Sequence, residues 1–395
     1  MIGFEEAVEL VRSAGKPLGT ESVALAEAAG RVLAERVVAF IDAPRSNVSS
    51  MDGYAVRDDD LEVLPAQLEV RGKSFAGASW GSPVEPGTCI RIFTGAPVPA
   101  GADRIIMQEY VRAQGNRAII EEAPGPSRFI RARGSDFKAG EELLAAGRLL
   151  DARAIVASGA ADLAQLKVYR RPRLSILSTG DELVEPGSAR ERDDAVPESV
   201  SAGVAALASA WGSEVFARKR LRDDLDAMQR AAKVAAGESD IVLVTGGASV
   251  GERDFARTMF EPLGLELIFS TVAMKPGKPV WLGRSGGALV MGLPGNPTSA
   301  LVTARLLLAP LVAGMTGRPI DHALAWRSLP LASPLGPCGS RETFHRARLL
   351  GESAHILSFQ DSGAQGTLAE AELLVRQAAG ALALEKGAHV QVLDF

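Results

Sequence analysis

Between Asp240 and Thr298 the chain carries three loops rich in glycine and proline, each following an apolar run: TGGASVGERDF (245–255), KPGKP (275–279) and GLPGNP (292–297). Loops of this composition expose backbone N–H groups with no Cβ in the way, which suits phosphate or another oxyanion. In the first loop Gly246, Gly247 and Gly251 permit close approach, with Ser249 between them. The helix it opens adds positive potential at its start. Asp254 falls in that helix's first turn, where it could hold Mg2+ against a phosphate or serve as an ordinary helix-start charge. Lys275 and Lys278 flank a Pro-Gly turn, so two ammonium groups could clamp an oxyanion, the bland alternative being a solvated turn. In the third loop Pro294 precedes Pro297, which is well placed as the first residue of a helix. The first loop is neither GxGxxG nor GxxxxGK[ST], which disfavours a Rossmann site and a P-loop.

Carboxylates stand at further loop tips: Asp52 in SSMDGYAV, Asp136 in RARGSDF, Asp181 and Glu182 in STGDE, and Asp223 in RDD. STGDE follows an apolar strand, so Glu182 belongs at the same edge as the three loops. The four histidines, all beyond residue 320, lack metal-ligand spacing, and neither GxSxG nor a Cys–His signature is present. Carboxylates, lysines and glycine loops point to oxyanion and Mg2+ chemistry in place of covalent catalysis.

The elements that must position these residues follow from periodicity. Residues 4–35 have helical spacing (Phe4, Ala7, Val8, Val11, then Val23, Ala26, Leu33). From about residue 41 to 130 short apolar runs alternate with turns, which predicts a β-rich insert. Residues 139–169 carry glycine turns and a helix near 151–158. From 173 strands and helices alternate: strands at 174–177, 214–217, 241–244, 265–269, 280–282 and 288–291, helices at 201–210, 225–236, from 253, and 298–312. This is a doubly wound α/β pattern, whose ligands bind beyond the carboxyl ends of the strands. After Gly317 short strands return. The expected division is 1–40 with 138–170, then 41–137, 171–318 and 319–395. A chain of 395 residues is long enough for roughly two to four domains. Net charge is −5, which gives no electrostatic footprint for nucleic acid. Only two cysteines, far apart, favour a reducing compartment. The acidic, amphipathic start is no signal peptide, and the apolar stretch 297–315 is broken by Arg305 and Pro310, so a buried helix is expected, no membrane association, and a cytoplasmic location.

SSMDGYAVR (49–57), RIFTGAPVPAGADRIIMQE (91–109), RGSDFKAGE (133–141), LSTGDELVEPG (177–187), TGGASVGERDF, MKPGKP and GLPGNPTSA, in that order, resemble the successive signatures of the molybdopterin molybdenumtransferases, the MoeA and gephyrin E-domain family. The likeness runs from about residue 1 to 318 and continues more weakly through SRETFHRARL and VQVLDF.

The resemblance implies insertion of molybdate into adenylylated molybdopterin, releasing AMP and molybdenum cofactor with Mg2+. It implies a doubly wound MogA-like α/β domain, a β-rich insert domain, an elongated linker domain and a small C-terminal β-barrel-like domain. It implies a homodimer with its cleft at the interface, and a molybdopterin adenylyltransferase or a molybdoenzyme as protein partner. By motif position it assigns Asp52, Asp136, Glu182, Asp223, Asp254, Lys275 and Lys278 to catalysis. Glu182, Asp223 and Asp254 also fall to the metal. Substrate binding falls to Thr94, Arg131, Gly246, Gly247, Ser249, Gly251, Pro294, Pro297 and Arg341. Two positions depart from the family pattern: Thr271 stands where a Lys or Arg is usual, and Pro197-Glu198-Ser199 where Asp-Ser-Asn is usual. They motivate a competing reading, a non-catalytic or weakly active molybdopterin-binding or scaffold relative. A single-domain adenylyltransferase is disfavoured because residues 41–140 and 319–395 would have no place in it.

Overall fold

A computed structural model describes residues 1–246 and 255–395. Helix α1 (Phe4–Ala14) buries Phe4, Ala7, Val8, Val11 and Ala14, the stripe its spacing predicts, and ends at Gly15. The helical reading of the next segment is corrected. Thr20–Ala24 is a strand, paired antiparallel with Gln165–Tyr169. The partner is too distant in sequence for local periodicity to reveal it, and that pairing overrides the apparent helical spacing.

The predicted β-rich stretch forms a six-stranded sheet between Gly53 and Ile120, antiparallel except where Ala66–Ser74 runs parallel to Thr88–Ile92. Cys89 lies in its core, and burial pushes the thiol up to about 12, so it packs and does not react. Helix Ala152–Ala160 starts at Asp151, whose side chain accepts the Ala154 N–H.

The α/β unit is built from β1 (Arg173–Thr179), α2 (Val200–Ala210), β2 (Glu214–Leu221), α3 (Leu225–Glu238), β3 (Ile241–Thr245), β4 (Glu266–Phe269), β5 (Trp281–Ser285), β6 (Ala288–Leu293) and α4 (Pro297–Met315). The sheet order is β2-β1-β3-β6-β5-β4. The strands β2, β1, β3 and β6 are parallel, as doubly wound topology requires. One strand departs from it: β5 runs antiparallel to both of its neighbours, β6 and β4. The cause is a two-residue hairpin turn, Gly286-Gly287, with φ of +57° and +89°, the conformation that joins twisted antiparallel strands. Reversal of β5 matters for the site. It brings the start of β5, and with it the 275–279 loop, to the edge where β1, β2, β3 and β6 end.

Strand β3 is buried on both faces, with Ile241 and Leu243 in one core and Val242 and Val244 in the other. Helix α4 is long and apolar enough to cross a membrane, yet 89% of its apolar window is buried within the protein. Arg305 inside it donates to the carbonyls of Asp394 (2.8 Å) and Ala323 (2.6 Å), which makes its burial tolerable. One π-helical turn over Ala304–Leu308 precedes Pro310 and absorbs the missing N–H.

The C-terminal sheet combines Arg327–Pro330, Glu342–Leu350, Ser353–Ile356, Leu373–Gln377 and His389–Asp394. Met274–Lys275 leaves the α/β sheet and joins it, parallel to Glu342–Leu350. Arg376 ties this sheet to α1 through Glu5 and Glu342, over the ring of Phe4.

Where the chain enters β1, Asp240 accepts two bonds from Arg170 (3.0 and 2.9 Å) and one from the Arg173 N–H (2.8 Å). Burial alone would raise its carboxyl, but Arg170 and the Arg173 N–H outweigh burial and hold it below the ordinary value. A lowered carboxyl contributes stability above its unfolded value, and that contribution is lost as pH falls through the folded one. Asp240→Asn is therefore expected to cost about 1–3 kcal/mol at pH 7. Urea unfolding should show that difference shrinking below about pH 4.

Candidate active site

At the carboxyl edge of the α/β sheet lies a cleft of about 920 Å3. Thr179, Gly180 and Glu182 line it from the end of β1, Asp223 from beyond β2, and Thr245 and Gly246 from β3. Lys278 enters from the loop before β5, and Pro294–Pro297 from the end of β6. The backbone of this edge is set by glycine. Gly246 has φ +90°, and a Cβ there would lie 2.4 Å from the Thr179 carbonyl oxygen. A Cβ on Gly295 would meet the Gly246 Cα at 3.4 Å, so the loops after β3 and β6 touch. Gly277 has φ +107° and packs its turn against Thr303 of α4.

The carboxylates are ordered by the same edge. Glu182 folds back over Gly180, where an added Cβ would come within 2.7 Å of both its oxygens. Asp181 accepts the Asp223 N–H at 3.3 Å, which joins the β1 and β2 loops. Lys278 is exposed and makes no ion pair among the described residues. Its carbonyl accepts the Val272 N–H at 3.1 Å, which fixes the loop by backbone and leaves the ammonium to the cleft. Glycine-lined backbone, two carboxylates and a lysine around one space suit an oxyanion-bearing ligand. Among the described residues no three His, Cys, Asp or Glu are grouped to hold a metal. Glu182 and Asp223 nevertheless fit Mg2+, which takes one or two carboxylates and completes its shell with water and phosphate oxygens.

Residues 2–161 match the MoeA N-terminal region (domain I and II), and residues 175–314 match a probable molybdopterin binding domain. The molybdopterin molybdenumtransferase of Haemophilus influenzae is 35% identical over 356 residues, covering 89% of this chain and 86% of that protein. The molybdopterin molybdenumtransferase of a Nostoc species is 33% identical over 393 residues, covering 93% and 88%. This chain belongs to the molybdopterin molybdenumtransferase family. A crystal structure of the molybdopterin biosynthesis MoeA protein from Pyrococcus horikoshii has the same fold over 99% of this chain and 98% of its own, with TM-score 0.82 and 28% identity.

Of the family residues expected from sequence, Glu182, Asp223, Gly246, Lys278, Pro294 and Pro297 meet in the cleft. Gly247, Ser249, Gly251 and Asp254 lie outside the described residues. Lys275 does not line the cleft, because its strand pairs with the C-terminal sheet. Arg341 stands beside it, donating to the Met274 carbonyl at 3.5 Å. Asp52 and Thr94 are together: the Thr94 N–H and hydroxyl both donate to one Asp52 oxygen at 2.8 Å. These bonds, backbone first, hold the Asp52 carboxyl below its ordinary value. Arg131 pairs with Val48 in a short ladder, and the Asp136 N–H donates to the Ala43 carbonyl at 3.0 Å. None of Asp52, Thr94, Arg131 and Asp136 lines the cleft.

The sequence missed several lining residues. Arg257 enters the cleft and donates to the Ser270 carbonyl at 2.8 Å, beside Thr271. Its Nε is buried with no partner among the described residues. Its only sequence signal is a basic residue just after the glycine loop. Gln365 reaches the cleft from the C-terminal segment. That segment is latched to the GLPGNP loop: Asn296 donates to the Ser362 hydroxyl at 2.8 Å and Thr298 to the Ala364 carbonyl at 3.3 Å. Buried Arg346 holds the same segment through the Asp361 carbonyl at 3.0 Å. The departing stretch Pro197–Ser199 lines the cleft, where Glu198 accepts the Ser201 N–H at 2.8 Å and caps the start of α2.

Proposed function

We propose that this protein inserts molybdate into adenylylated molybdopterin, releasing AMP and molybdenum cofactor. The observation that carries the reading is the convergence of Glu182, Asp223, Gly246 and Lys278 on one cleft, in a chain whose relatives are named molybdopterin molybdenumtransferases along nearly its whole length. The same length of agreement disfavours a non-catalytic relative. In this reading Gly246, with no side chain, lets the phosphates approach the backbone at the end of β3. Lys278 balances charge as water attacks the α-phosphorus: the P–O bond to the pterin phosphate breaks, that phosphate keeps the electron pair, and AMP departs carrying the water oxygen. Molybdate forms two Mo–S bonds to the dithiolene and gives up one oxygen as water with the two thiol protons. Glu182 and Asp223, with Asp254, would hold Mg2+, which supplies further charge neutralisation when bound. Omitting molybdate should stop AMP release.

The domain division expected from sequence, a cytoplasmic location and receipt of the nucleotide-bound pterin from a molybdopterin adenylyltransferase, with delivery to a molybdoenzyme, belong to the same reading. So does a homodimer, in which a second copy brings Asp52, Thr94, Arg131 and Asp136 to the cleft. Asp52→Ala and Lys278→Ala proteins, each nearly inactive, should then recover about a quarter of wild-type AMP release when unfolded, mixed and refolded together. No recovery in verified mixed dimers would show that the two sets act within one chain.

Thr271 removes a charge from the cleft wall, and Arg257 supplies one beside it. We assign to Arg257 the role of the missing cation. Arg257→Gln should slow turnover about ten-fold or more. Adding Thr271→Lys to that variant should restore most of the rate, as measured by AMP release at saturating substrate.

A further inference from the structure

At the opposite edge of the α/β sheet, before β1 and β2 begin, lies a second and smaller pocket of about 90 Å3. It sits where four segments meet: Gly30–Val32 and Leu149, the entry to β1 at Tyr169 and Arg171, the end of α2 at Trp211, and the end of α4 at Thr316 and Arg318. Three of its lining residues are arginines, and no aspartate or glutamate is among them.

Arg31 is nearly buried and already engaged, donating to the Glu21 carboxylate and, at 2.8 Å, to the Tyr169 carbonyl. Arg171 and Arg318 are different. Each is half-buried, each has a buried Nε with no hydrogen-bond partner, and neither forms an ion pair among the described residues. Arg318 is held with its guanidinium 4.4 Å from the centroid of the Trp211 ring. Arg305 lies over the same ring at 5.3 Å. Burial, opposed by Asp394 and helped by the charge of Arg318, brings Arg305 down to about 10. Glu21 is taken up by Arg31, so among the lining arginines Arg171 and Arg318 are left without an ion pair among the described residues, and Arg318 is held by packing on Trp211.

A guanidinium offers five donors, accepts nothing and stays charged. Leaving such donors buried without an acceptor is costly. The Nε of Arg171 and that of Arg318 are such donors, and an anion rich in oxygens would satisfy both. The volume excludes a pterin or a nucleotide, since ligands of that size take about 300 Å3 or more. It fits one small ion.

We propose that this pocket binds a single tetrahedral oxyanion of the molybdate, sulfate and phosphate class, held by Arg171 and Arg318. The site is separate from the cleft, which lies beyond the other ends of the same strands. Because its walls come from both the N-terminal segment and the α/β unit, the bound ion ties the two together.

The test is calorimetric titration at fixed ionic strength, with molybdate, sulfate and phosphate in separate arms. It uses the wild type, Lys278→Ala to disable the cleft, and Lys278→Ala carrying Arg171→Gln and Arg318→Gln. One oxyanion per chain should still bind to Lys278→Ala, at least about ten-fold more weakly once both arginines are replaced. The arm that binds most tightly identifies the ion. Wild-type crystals soaked in molybdate give a reading that needs no variant: an anomalous peak between Arg171 and Arg318. Unchanged affinity in the arginine variant, a pocket without anomalous signal, or a carboxylate of a second copy filling it would each overturn the proposal.

Discussion

Lys278→Ala is expected to slow molybdate-dependent AMP release by about 10²–10³-fold, the range found when one preorganised donor to developing charge is removed. The structural cost should be small. Lys278 is exposed, its side chain makes no ion pair among the described residues, and the bond that fixes its loop uses its backbone carbonyl. Alanine keeps that bond, so unfolding free energy should stay within about 0.5 kcal/mol of wild type. The loss should fall mainly on kcat, because a cation that meets charge growing on the leaving phosphate acts more in the transition state than in the ground state. A loss confined to KM would instead assign Lys278 to ground-state binding.

Gly246→Ala is expected to damage both stability and turnover. At φ +90° a side chain is strained, and the new Cβ would lie 2.4 Å from the Thr179 carbonyl oxygen and 2.8 Å from its hydroxyl. Neither atom can move freely, because Thr179 closes β1, a buried central strand. The ends of β1 and β3 must separate, at a cost of about 1–3 kcal/mol. Those ends carry Glu182 on one side and the glycine loop on the other. A displacement near 1 Å there costs about a hundred-fold in rate. Thermal unfolding and AMP release on the same preparation would show both effects. Normal turnover in a destabilised protein would mean that the loop after β3 does not position the reacting groups.

What could be read from the sequence follows the reach of its signals. Ile241–Val244 is apolar throughout, and the three loops follow short apolar runs, so the sheet edge and most of its lining are visible as a pattern. The Gly286-Gly287 hairpin lies inside that pattern and reads as part of a parallel alternation, although paired glycines are the turn chemistry that reverses a strand. Thr20–Ala24 was unreadable locally, because its partner is Gln165–Tyr169. Lys275 and Lys278 look equivalent in KPGKP, yet strand pairing draws Lys275 to the C-terminal sheet and leaves Lys278 in the cleft. Arg257 and Gln365 belong to no motif, since they reach the cleft only through tertiary packing. Thr271 looked like a lost charge, and only the spatial neighbourhood shows Arg257 beside it.

The central claim is a stoichiometric one, and a single turnover tests it. Enzyme in excess over adenylylated molybdopterin, with Mg2+ and molybdate, should release one AMP for each pterin and yield cofactor that activates a molybdenum-free apoenzyme. Tight binding of adenylylated molybdopterin with no AMP and no active cofactor would contradict the account, and would make this cleft a binding site only.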